Sequence, residues 1–154
     1  MRLKEIITEW QEIDEGKNGP HSGKEVAMLI AGTKPAALLN PKEKVQVDPH
    51  IKSGRLVAQQ EFNSPSWIVT QKDEAWRIEK IYALLKKNDE DWEEFGGDAF
   101  YIPRTSYHVN LGRLLGYEED DINYHMNWTE KKRQQLEDER LARVAAWKRN
   151  HETI

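Results

Sequence analysis

The chain has 154 residues, a formal net charge of -4, 38% hydrophobic residues and 32% charged ones. That length suits a single domain, 1–154, with a sizeable core, and six tryptophans are too many for a disordered chain. Interleaved acids and bases at so small a net charge argue against a dedicated nucleic-acid binder. Zero cysteines exclude disulfides, thiolate nucleophiles and Cys-ligated metals.

The opening residues MRLKEIITEWQEIDEG contain no uninterrupted apolar stretch, and no run approaches the ~20 apolar residues of a membrane span. The expectation is a cytoplasmic protein without membrane contact. Leu3, Ile6, Ile7, Trp10 and Ile13 fall on one helical stripe, roughly 120° wide, so 2–14 reads as a surface helix. Ser22 and Glu25 have capping-box spacing ahead of a short helix through Val26, Leu29 and Ile30, closed by Gly32. Thr33 reads as the cap of a further helix that buries Ala36 to Leu39 and stops at Asn40-Pro41. Lys34 sits in that Gly-Thr-Lys-Pro corner, where a lysine beside backbone N–H groups suits an anion.

From 45 to 71 the pattern turns to strands. Val45-Gln46-Val47 alternates, and Arg55–Phe62 with Ser66–Thr70 reads as a hairpin about the Asn63-Ser64-Pro65 turn. Phe100–Ile102 can supply a third strand, and so small a sheet requires helices over one face. Residues 72–87 give the strongest helix signal, with Ile78, Ile81, Tyr82 and Leu85 on one face, Trp76 opposite them, and Glu74 fraying into water. Asn88–Glu94 then packs five carboxylates around Trp92 as a solvated charge run.

Tyr101–Asn127 reads as a helix, a Gly116-Tyr117 corner and a second helix with the acidic start Glu118-Glu119-Asp120-Asp121. A final helix, 129–150, begins at a Thr129 cap and protrudes, its apolar residues Leu136, Leu141, Val144 and Trp147 too spread to form one tight seam. The fold expected is α+β, with several short helices on a small antiparallel sheet.

Candidate chemistry is sparse. His108 projects between Leu111 and Leu115, and Asp121 lies one turn before His125, the arrangement by which a carboxylate orients a general base. These three residues define the enzyme alternative, either cofactor-free, with Lys34, Glu61 and Arg77 contributing, or metal-assisted. The acidic helix start repels phosphate, so the helix-corner-helix unit does not read DNA. The leading expectation is a small intracellular binding or regulatory protein, without cofactor, acting through protein–protein contacts. Its candidate binding residues are Trp92, Glu118, Glu119, Asp120, Lys34 and Arg77, and its partner is another protein or a second copy engaged through the terminal helix.

Overall fold

In a computed structural model, the described residues are 21, 23–96 and 105–152. The expected helix over 2–14 and the strand at 100–102 lie outside them, as does Ser22. The chain divides into two compact units, Met1–Ile122 and Asn123–Ile154.

Helix α1, Glu25–Ala31, has Lys24 at its N-cap with no side-chain cap, so Glu25 is its first residue and not the third residue a capping box from position 22 requires. It ends where expected, at Gly32 with φ of 77°. Strand β1, Ala36–Leu39, follows, then α2, Pro41–Lys52, β2, Leu56–Gln60, and β3, Trp67–Gln71. A single 3₁₀ turn, Lys72–Glu74, leads into α3, Trp76–Glu94. Helix α4 spans Thr105–Leu114 and α5 spans Glu119–Glu152.

The three strands form an antiparallel sheet in the order β1-β3-β2. Ala37 pairs with Val69, which pairs with Ala58; Leu38 pairs with Ile68, which pairs with Gln59. Successive residues point to opposite faces. Ala36 and Ile68 pack with Ile78, Ile81, Leu85, Leu111 and Leu115 of the α3–α4 side. Ala37, Leu39, Leu56 and Val69 pack with Leu29 and Val47 from α1 and α2. Helices therefore cover both faces, where the sequence had promised cover for one.

That double burial explains the main misreading. Ala36–Leu39 is a strand and not a helix, because a strand buried on both faces shows a continuous apolar run with no period-2 alternation. Asn40-Pro41 likewise starts a helix instead of ending one. The Asn40 side chain accepts from the Glu43 N–H at 2.8 Å, and Glu43 Oε1 accepts from the Asn40 N–H at 3.0 Å, with Pro41 in the first turn. Val45-Gln46-Val47 lies inside α2, with Val47 buried and Val45 exposed.

The hairpin stands as read. Helix α3 continues through Asn88–Glu94, so the acidic run forms its last turns, and Trp76 is indeed exposed, flanked by Arg77 and Lys80 at 4.6 and 5.2 Å from the ring centre. Glu74 does not fray: its Oε2 accepts from Arg77 Nε at 2.7 Å. Thr129 caps nothing, since it is buried in the middle of α5 and its hydroxyl donates to the His125 carbonyl at 2.9 Å. A threonine inside a helix satisfies itself one turn back, so the cap signal was a false start.

Candidate functional site

Two helix ends build the clearest polar cluster of the first unit. At the end of α1 the Gly32 N–H donates to Leu29 and the Thr33 N–H to Met28, at 3.1 and 3.0 Å. The end of α4 repeats this, with Gly116 donating to Arg113 and Tyr117 to Gly112 at 3.1 and 3.0 Å. Both glycines take the left-handed conformation this double bond requires, at φ of 77° and 82°. The two corners press together, since a Cβ on Gly116 would lie 2.5 Å from Pro35 Cδ. Gln71, at the end of β3, locks the first corner: its side-chain amide donates to the Leu29 and Lys34 carbonyls at 2.8 and 3.0 Å.

Lys34 lies between these corners and is only 1% exposed. Its ammonium donates to the Leu115 carbonyl at 2.8 Å, lies 2.6 Å from His21 Nδ1, and sits 4.3 Å from the centre of the Tyr117 ring. The His21 ring stacks on Tyr117 at 4.3 Å and 14°. Burial pulls the Lys34 amine down to about 8, with Glu25 opposing. Burial also lowers His21, helped by the charges of Lys34 and Lys24 and opposed by Asp121. The Tyr117 phenol is pushed up by burial first and then by Glu25 and Asp121. A neutral His21 with Nδ1 as acceptor meets a charged Lys34, because two cations cannot share a 2.6 Å contact. The lysine's three protons thus face an imidazole nitrogen, a carbonyl and an aromatic face.

The anion reading of this corner changes accordingly. Lys34 points inward, the Gly32 and Thr33 N–H groups close α1, and the next element is a strand, which has no helix N-terminus to offer. Arg77 is also turned inward. It donates to the Arg113 and Leu114 carbonyls at 3.1 and 3.0 Å, closing the end of α4 from α3. Asp121 is half-buried and contributes its charge to the Lys34 cluster.

The other sequence candidates have surroundings of their own. His108 is buried on α4, with its ring edge-on to Tyr107 at 5.6 Å and 81°. His125, in the second unit, stacks on Trp128 at 6.3 Å and 16°. Glu118 uses its carbonyl to accept from the Ile122 N–H at 3.0 Å. Glu119 takes a two-pronged bond from Arg113 at 2.7 and 3.2 Å, Asp120 is exposed, and Trp92 is half-buried. Among the described residues no three His, Asp or Glu side chains converge on a metal position. Sequence reasoning passed over His21 and Tyr117 as site residues, although an apolar residue right after a helix-closing glycine is a recurrent packing position.

The second unit presents a different surface. Over residues 140–151, α5 carries Arg140, Arg143, Lys148 and Arg149 and no carboxylate. Leu141, Val144 and Trp147 in the same stretch are 52%, 41% and 60% exposed. At 100° per residue these three, with Arg140, Arg143, Lys148 and His151, fall within an arc of about 160°. Trp147 is braced by His151, whose ring stacks on it at 4.2 Å and whose Nδ1 lies 2.7 Å from the Trp147 carbonyl.

No known protein family matches the sequence, and comparison with curated proteins and with solved structures gives no match either. Among the described residues no helix is long and apolar enough to cross a membrane.

Proposed function

We propose that this chain is an intracellular binding or regulatory protein whose work is docking, through the 140–151 face of α5, onto an acidic protein surface. The observation that carries this reading is the exposure of Leu141, Val144 and Trp147 on one face with Arg143 and Lys148, beside Arg140, which Glu137 already holds at 2.7 Å. In the first unit, Trp67, Trp76, Phe62 and Tyr117 each have a lysine or arginine laid over the ring, which shields part of the apolar surface. Trp147 keeps 60% of its surface open. Tryptophan and arginine are the residues that most often carry binding energy at protein interfaces, and flanking cations select an acidic counterpart.

The test replaces Trp147 in the cell with a photocrosslinking phenylalanine, irradiates, and sequences the crosslinked peptides. Docking predicts protein adducts at acid-rich segments, lost when Arg143→Glu and Lys148→Glu reverse the charge. An absence of protein adducts, or adducts indifferent to that reversal, overturns the reading.

A further inference from the structure

We infer that the acidic surface is carried by a second copy of this same chain, at the last two turns of α3, Asp89 to Phe95. This rests on the docking reading above and names its partner.

The end of α3 is electrostatically at odds with itself. Asp89, Glu90, Asp91, Glu93 and Glu94 crowd the C-terminal turns of a helix that has no basic residue in its last turn. A helix C-terminus carries partial negative charge from its orphan carbonyls, so carboxylates there repel both one another and the backbone. Lys87 reaches Asp91 at 3.7 Å, which neutralises one charge loosely and leaves Glu90, Glu93 and Glu94 exposed. These three sit at i, i+3 and i+4, on one side of the helix. Phe95, directly after them, is 64% exposed.

The 140–151 face is the matching half: cations where α3 has acids, and Leu141, Val144 and Trp147 to meet Phe95. Two further acidic stretches among the described residues match less well: at 137–139, Glu137 is already bound to Arg140, and the other is Glu118–Asp121. Glu119 is already held by Arg113, and Asp121 is half-buried beside the Lys34 cluster. Bringing a cationic helix against α3 relieves its self-repulsion, a gain that a neutral partner does not offer. Each copy carries both halves, so two copies can close on each other reciprocally or pass the contact on to a third.

The experiment is sedimentation velocity on the full chain, with far-ultraviolet circular dichroism confirming that every variant is folded. Raising salt from about 0.01 M to about 1 M shortens the screening length from about 30 Å to about 3 Å. The wild type is expected to sediment at twice the single-chain mass or more in low salt and as a single chain in high salt. R143E/K148E and E90K/E94K should each sediment as a single chain. An equimolar mixture of the two should associate again, because the intact acidic end of α3 in the first meets the intact cationic face of the second, and the two reversed halves also match. A wild type that remains a single chain in low salt overturns the inference, as does an E90K/E94K variant that associates like wild type. In either case, charge-sensitive adducts of Trp147 with other proteins leave the docking reading intact, so the two fail separately.

Discussion

The ammonium of Lys34 and Nδ1 of His21 lie 2.6 Å apart in a pocket closed by the Tyr117 ring, so the corner holds one positive charge and not two. The pH dependence of folding follows from that. His21 is lowered from its ordinary 6.5, so as pH falls the unfolded chain takes up a proton that the folded chain resists. Stability therefore drops on the acid side of that value. Urea midpoints across about pH 5 to 8, the range of histidine titration, should show this slope in wild type and lose much of it in His21→Gln.

On the alkaline side two groups of the same corner act in opposite senses. Lys34 is held near 8 against an ordinary 10.5, so the unfolded state binds more protons between those values and stability rises with pH there. Tyr117 is raised above its ordinary 10.0, so the unfolded phenol ionises first and stability falls above about 10. Lys34→Met should abolish the rising limb and keep the falling one. It strips the donor from Leu115, and at neutral pH should cost about 1–3 kcal/mol in urea unfolding.

Gly116 and Gly32 separate strain from collision. Both have positive φ, and a Cβ on Gly32 meets nothing within 4 Å whereas one on Gly116 meets Pro35 Cδ at 2.5 Å and Cγ at 2.6 Å. Gly32→Ala should cost about 1–2 kcal/mol from the left-handed backbone alone. Gly116→Ala adds a clash with a rigid ring. Its chemical-denaturation midpoint should fall well below that of Gly32→Ala, and equal midpoints would show the corners to be looser than described.

Arg77 joins α3 to the end of α4 through one planar fork: two carbonyls accept from it while Glu74 holds its Nε. Arg77→Met should destabilise by about 1.5–3 kcal/mol, the range for hydrogen bonds to charged groups. Arg77→Lys should recover less than half, since an ammonium does not reproduce the fork. Hydrogen exchange should locate the loss in residues 111–115.

For α2, Asn40→Ala removes one bond of the capping box and should cost about 1 kcal/mol, with Asn40→Asp nearly neutral. Thermal melting compares the three proteins.

These elements also show what a reader of the sequence can and cannot extract. The hairpin was legible because β2 and β3 carry β-branched and aromatic residues around a polar turn, Asn63 taking the φ of 51° that such a turn tolerates. Strand β1 was not, because burial on both faces erases alternation. Helix α2 was masked by Pro41, read as a stop although it sits at a helix start. In the cluster, Lys34 stood out as a corner lysine, but its partners lie 13 residues before it and 81 after it. No local pattern encodes a contact made by chain topology. The exposed face of 140–151, in contrast, is visible in composition alone: large apolar residues and cations on a helix with no acids between them.

The strand order carries a consequence for how the chain reaches this state. β3 lies in the middle of the sheet yet is the last of the three to be synthesised, so β1 has no neighbour when it leaves the ribosome. Ala36 waits for Thr70, 34 residues later, while the β2–β3 hairpin closes locally. Until Gln71 has emerged, the double-faced apolar strand Ala36–Leu39 is a segment in need of protection, and the growing chain is most open to aggregation over that interval.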